Sequence, residues 1–353
     1  MKRIWAILLV CCLAAGLLAG CGGAGKKEEN PLTAAFRGVY EVRELNGVNG
    51  EEEAGGGYFY PVRFSAERLA EYKKQKRMPY APDSVNIRLS FTTDAEEIGF
   101  SYGFSEVHCE GSAEYGSAID TFDIYEDGKL ADTVTVSGKK SGELTYQKQG
   151  GADAVITVYF PVFRATVISN VSLGNFKPAP EKQKKVLVLG DSISQGLFAD
   201  AASAGWVPRL CMALDAEFLN LSVGGETFRA EALDEDVHFD PDLIFVSLGT
   251  NDIAVGHSIS NITEDMEEYF PRLREIYGDT PIVFVSPCTS LNKDFEAKIL
   301  EKAAQYCDKV FDGTTLCDKG AATHFTATDV HPNASGHSRM AERLLPEIQA
   351  LLK

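Results

Sequence analysis

Three short segments in the second half of the chain carry residue types that together can perform ester chemistry. They are Gly190-Asp191-Ser192-Ile193, Gly249-Thr250-Asn251-Asp252 and Asp329-Val330-His331-Pro332-Asn333. Ser192 follows an apolar stretch, residues 186–189, and so falls on a strand-to-helix turn. There a hydroxyl can act as a nucleophile with backbone N–H groups close by. The same serine could instead cap a helix. His331 stands before Pro332-Asn333 and a final helical pattern, where an imidazole can serve as general base. Asn251 offers an amide to a developing oxyanion, although an asparagine after Gly-Thr can also close a loop on itself.

The elements that would position these residues follow from periodicity. Apolar runs at 186–189, 218–221, 243–248 and 282–286 read as buried strands, and they alternate with helical segments at 206–214, 264–277 and 295–307. A last helix is expected at about 336–352. Such alternation predicts an α/β domain over 185–353, with a parallel sheet covered by helices on both faces. Active sites of these folds gather at the carboxyl ends of the strands, where the three segments lie or which they adjoin. The first half has a different pattern. Val85, Ile87, Leu89 and Phe91 alternate with polar residues, and 122–125 and 134–136 flank an Asp127-Gly128 hairpin signal. Residues 31–175 are therefore expected to form an all-β sandwich of jelly-roll type. The Pro- and Lys-containing stretch 176–184 reads as the linker.

The chain has 353 residues, of which 44% are hydrophobic, enough for two ordinary domains. Its formal charge is −17, or −19 without Lys2 and Arg3, which argues against nucleic acid as a partner. Met1-Lys2-Arg3 and the apolar run 4–19 have the form of a secretory signal, 1–20. It ends in Leu18-Ala19-Gly20-Cys21, which resembles a bacterial lipobox. That resemblance implies a lipid on Cys21, a flexible tether over 21–30 and an exported enzyme held on the outer face of the bacterial cell membrane. A plain signal peptide or an uncleaved anchor are the alternatives. Five cysteines follow Cys21, an odd number that suggests no disulfide framework, although Cys307 and Cys317 could bridge. No Cys-x-x-Cys, His-Glu-x-x-His or Walker-type loop suggests a metal or nucleotide site.

Residues 186–196 and the other segments, spanning roughly 184–353, resemble the SGNH or GDSL-type hydrolase family, with Ile193 in place of that name's leucine. The resemblance implies a flavodoxin-like hydrolase domain with Ser192 as nucleophile. It further implies an oxyanion hole from the Ser192 N–H, the Asn251 amide and a backbone N–H of the block Asn220-Leu221-Ser222-Val223-Gly224-Gly225-Glu226-Thr227. Gly225 is assigned that N–H in preference to Gly224. Where the family has an aspartate three residues before the histidine, this chain has Thr328. Asp329 is then the residue that orients His331, either by its carboxylate or by its own C=O. The backbone arrangement is found among relatives resembling carbohydrate esterases with an N-terminal β-sandwich. The expected activity is removal of acyl groups, acetyl above all, from carbohydrate, with no metal or organic cofactor. A lysophospholipase or thioesterase is the alternative enzyme. A surface protein that only binds glycan or cell wall, with Tyr58, Phe59, Tyr60 and Tyr80 as a stacking platform, is the alternative that is not an enzyme.

Overall fold

The computed structural model describes residues 30–47, 57–75, 81–107, 120–233, 237–288, 293–317 and 330–352. Cys21, Asp329 and most of the expected tether lie outside the described residues. In chain order the strands are β1 Phe36–Arg37, β2 Glu41–Leu45, β3 Tyr58–Val62, β4 Arg88–Thr93, β5 Glu97–Val107, β6 Thr121–Glu126, β7 Lys129–Thr135, β8 Ser141–Gln147, β9 Val155–Tyr159, β10 Arg164–Ser172, β11 Phe176–Pro178, β12 Lys184–Gly190, β13 Ala216–Asn220, β14 Leu243–Ser247, β15 Ile282–Val285 and β16 Lys309–Phe311. The helices are α1 Pro31–Ala35, α2 Ala66–Gln75, α3 Ser192–Gln195, α4 Trp206–Ala213, α5 Thr250–Ala254, α6 Ile259–Tyr277, α7 Lys293–Ala303, α8 Gly313–Leu316 and α9 Ala334–Leu351.

Two antiparallel sheets, β1-β4-β9-β6-β7 with β11 beside β4, and β2-β3-β10-β5-β8, enclose the first core. Alternation along each strand decides what faces inward. Leu89, Phe91, Phe122, Ile124, Ile156 and Val158 from one sheet meet Ile98, Phe100, Tyr102, Leu144 and Ile168 from the other. Asp127 and Gly128 both have positive φ, 49° and 73°, as the hairpin between β6 and β7 requires. The stretch read as a linker is partly ordered into the sandwich: β11 pairs with β4 through Phe176–Thr93 and Pro178–Phe91.

The remaining strands form one parallel sheet in the order β13-β12-β14-β15-β16, the flavodoxin-like arrangement expected. Both faces are buried, so successive residues enter different cores. Val186, Val188, Phe245 and Val283 pack with Trp206, Leu210, Met340 and Leu344 of α4 and α9. Leu187, Ile244, Val246 and Phe284 pack with Ile262, Met266, Phe270 and Ile299 of α6 and α7. Among the described residues no helix is long and apolar enough to cross a membrane.

The two halves share their interiors. Helix α2 belongs by sequence to the sandwich, yet Tyr72, with Phe64 and Ala81 around it, packs into the α6/α7 core of the parallel sheet. Arg63, just after β3, is almost wholly buried and donates to the backbone carbonyls of Ala81 (3.2 Å), Asp83 (2.9 Å), Asn220 (2.7 Å) and Ser222 (3.0 Å). Burial lowers its pKa to about 10, which leaves it charged at neutral pH. Nearby, Arg88 and Arg37 both pair with Glu217 at the start of β13. A cavity of about 600 Å³ beside this cluster is lined by Tyr125, Tyr159, Met212 and Phe218 among others, and not by Ser192, Gly225, Asn251 or His331.

Replacing Arg63 with methionine should orphan four buried carbonyls while keeping most of the side-chain volume. We expect a loss of about 3 to 5 kcal/mol in urea unfolding, the scale for breaking a buried charged network. A loss below about 1 kcal/mol would show that the carbonyls find other partners.

Candidate active site

The site is assembled at the carboxyl ends of β12, β13 and β14. Strand β12 ends at Gly190, where an added Cβ would stand 2.6 Å from Ser194 Oγ and 3.0 Å from Ser222 Oγ, so only glycine fits between them. Asp191 then caps α3, its carboxylate accepting from the Ile193 N–H at 2.9 Å. The capping role thus falls to Asp191. Ser192, the first residue of α3, has its Oγ 2.9 Å from His331 Nε2. Helix α3 is a single turn closed by Gly196 in the left-handed conformation.

Beyond β13 the chain keeps running alongside the end of β12, with Leu221 N–H donating to Val188 C=O (2.8 Å) and Val223 N–H to Gly190 C=O (3.0 Å). Of the two glycines that follow, Gly225 is exposed and has a φ of 82°, whereas Gly224 is buried. After β14, Gly249 with a φ of 111° turns the backbone into α5. The Asn251 amide donates to the Glu226 carbonyl at 3.0 Å and lies 3.5 Å from Asp191 Oδ2. Thr250 also hydrogen-bonds the Asp191 carboxylate. One side-chain amide is therefore tied to the neighbour of Ser192 and the neighbour of Gly225 together. The structure brings Ser192, Gly225, Asn251 and His331 to one locality.

Burial sets the electrostatics. Asp191 is pushed up to about 7, and Asp252, whose Oδ1 accepts from the Phe228 N–H at 3.2 Å, to about 6. His331 is held down to about 4 because burial disfavours its charged form. Its ring packs on Phe198, centroids 5.3 Å apart, and Phe198 itself has a φ of 68°. The loop that carries Phe198 is fixed from two sides. Asp123 on β6 accepts from the Ser203 N–H (2.7 Å) and Oγ (2.6 Å), and Thr121 Oγ1 accepts from the Ala202 N–H (3.0 Å). On the other side, buried His337 binds the Leu197 carbonyl through Nε2 at 2.9 Å. His337 is thus a structural histidine. Phe198, Asp123 and the anchoring part played by Asp191 were missed, and only the Asp191 position carried a sequence signal. The possible Cys307–Cys317 bridge is not formed: Cys317 lies 3.3 Å from Cys288, and Cys307 packs on the opposite face of the parallel sheet, so Cys307 and Cys317 are not neighbours.

Residues 188–339 match the GDSL-like Lipase/Acylhydrolase family, so the chain carries a domain of that family. None of the curated proteins compared matches the sequence. Among solved structures the chain is similar to a salicylyl-acyltransferase from a tetracycline biosynthetic pathway, with a TM-score of 0.71 at 19% identity over 90% of this chain and 95% of that one. It is also similar to a family two carbohydrate esterase from Clostridium thermocellum (TM-score 0.57, 15% identity, 84% and 99% covered). A third is an acetyl xylan esterase from the rumen bacterium Butyrivibrio proteoclasticus (0.56, 14%, 85% and 97%). At these identities the likeness establishes the shared fold: an SGNH-type parallel sheet preceded by an antiparallel β-rich region.

If His331 must be neutral to accept a proton, activity should be lost as pH falls through its pKa. The acid limb of kcat/KM on a short-chain ester should then centre near 4, well below the ordinary 6.5 of an imidazole. A limb centred at 6.5 or higher would mean that a carboxylate partner restores the basicity that burial removes.

Proposed function

We propose that the chain is a serine ester hydrolase that removes acyl groups, acetyl above all, from carbohydrate substrates. The observation that carries this reading is the 2.9 Å contact between Ser192 Oγ and His331 Nε2, beside an Asn251 amide tethered to Asp191 and Glu226. In the reaction His331 takes the Ser192 proton as Oγ attacks the ester carbonyl. The new oxyanion is held by the Ser192 and Gly225 N–H groups and by Asn251. Collapse of the tetrahedral intermediate expels the sugar hydroxyl, protonated by His331, and water then releases the acyl group by the same two steps. Nothing in these steps requires a metal or organic cofactor. The carbohydrate side of the proposal is supported by the two-part architecture, which the carbohydrate esterases named above also have. Architecture alone specifies no sugar. We further propose export with a lipid on Cys21, which would hold the enzyme at the outer face of the membrane.

Ser192→Ala should abolish turnover of a short-chain acyl ester, with the thermal midpoint nearly unchanged. The wild type should prefer acetylated xylan or acetylated monosaccharides to long-chain p-nitrophenyl esters and lysophospholipid. Undiminished turnover by the variant would remove Ser192 as nucleophile, and a preference for long acyl chains would favour the lysophospholipase alternative. Asp329→Asn separates the two ways of orienting His331. It should cost less than about tenfold, or ~1.4 kcal/mol, if the backbone carbonyl orients the ring, and orders of magnitude if the carboxylate does. For the anchor, intact-mass measurement of the membrane fraction should find a diacylglycerol-modified Cys21 at the mature N-terminus. An unmodified chain cut elsewhere would refute it.

A further inference from the structure

Cys288 and Cys317 are both buried, and their sulfurs lie 3.3 Å apart, in contact but unbonded. A disulfide has its sulfurs at ~2.05 Å, so closing the gap asks for a shift of little more than ~1 Å. Their place in the fold gives such a bond a purpose. Cys288 follows Ser286-Pro287 at the carboxyl end of β15, and Cys317 caps α8. The contact between these segments is already tight. Gly313 N donates to Ser286 Oγ at 3.0 Å, and a Cβ on Gly313 would collide with the Ser286 carbonyl at 2.0 Å. Cys288 Sγ also touches Met340 Sδ of α9 at 3.7 Å, and α9 is the helix that follows His331. Above, Pro287 Cγ lies 3.2 Å from where a Gly249 Cβ would stand, and Gly249 is the turn that presents Asn251. The thiol pair thus occupies the junction of β15, α8 and α9, beneath the loops that carry Asn251 and His331.

We propose that Cys288 and Cys317 form a disulfide that clamps this junction. The step is thiol–disulfide exchange with a small-molecule disulfide as oxidant. One cysteine thiolate attacks the oxidant and expels one reduced thiol. The other cysteine then attacks the mixed disulfide, expels the second thiol and leaves the Cys288–Cys317 bond. Two S–H bonds are lost by the chain, and one disulfide of the oxidant is reduced to two thiols. The adjoining Cys317 sulfur and burial hold the Cys288 thiol well above its ordinary pKa, so little thiolate exists once the fold is complete. The bond therefore forms during folding rather than after it. Cys307, across the parallel sheet, is no competitor; Cys211 lies in the same core as the pair, but the sulfur in contact with Cys288 is that of Cys317.

The test is to refold the full chain in a glutathione/glutathione disulfide buffer, alkylate free thiols and map the peptides without reduction. The expected product links Cys288 to Cys317 and leaves Cys307 alkylated. Its thermal midpoint, and the temperature at which esterase activity is lost, should exceed those of the dithiothreitol-reduced wild type by on the order of 5–10 °C. Cys317→Ser should remove this difference and Cys307→Ser should keep it. The comparison between oxidised and reduced wild type decides the matter even if Cys317→Ser fails to fold. Complete alkylation of Cys288 and Cys317 after refolding, a bond involving Cys307, or an oxidised form no more stable than the reduced one would overturn the proposal.

Discussion

The guanidinium of Arg63 is the constraint on which the relation between fold and site depends. A charge taken out of water must have every donor satisfied, and here the partners are main-chain carbonyls from both halves of the molecule. Two of them, Asn220 and Ser222, lead directly into the Gly224-Gly225 turn. The backbone on which an oxyanion N–H would sit is therefore anchored from the sandwich side. The same logic extends along α2, where Tyr72 donates to Glu226 Oε2 at 3.1 Å and Gln75 receives a bond from Arg229, itself paired with Glu226. The antiparallel half is a structural part of the hydrolase site and cannot be viewed as a detachable module.

Within the site, geometry is fixed by short polar side chains acting on the backbone. Asp191 holds the first turn of α3, and its carboxylate also receives Thr250 and approaches Asn251. This explains why a buried carboxylate is tolerated at a position where desolvation lifts its pKa to about 7: two separate loops would lose their common acceptor without it. The network fixes where the Asn251 amide stands, so that only its long 3.5 Å contact with Asp191 has to be given up for one N–H to serve a developing oxyanion.

Much of this was legible in the sequence, and what was missed has a common cause. The parallel strands were readable because burial on both faces makes them short apolar runs, as at 243–248. The sandwich strands were readable because one face of each is polar, as around Ile87 and Leu89. The segments of Ser192, Asn251 and His331, which the fold brings together, stood out because each is short and has its own turn chemistry. Long-range packing was not readable. Nothing local distinguishes α2 as a helix that leaves the sandwich to pack beside α6. Phe198 carries no sign that its ring will lie on His331. Strand β11 was hidden among prolines that suit an edge strand as well as a linker. The cysteine pairing failed for the same reason, because 307 and 317 are near in sequence but separated by the parallel sheet.

His331 poses the sharpest chemical requirement. A base held near 4 is neutral at ordinary pH and ready to accept a proton, yet it is a weak acceptor, and the imidazolium it forms sits where burial opposes charge. The contact with Phe198 that aims the ring also helps keep water from it, so orientation and basicity trade against each other. A backbone carbonyl on Nδ1 would orient the ring and stabilise the imidazolium through a partial charge. A carboxylate would do so with a full one and would raise the pKa further. If the ring is to work as the base, its Nδ1 needs an acceptor, and the strength of that acceptor determines where on the pH scale the enzyme begins to act.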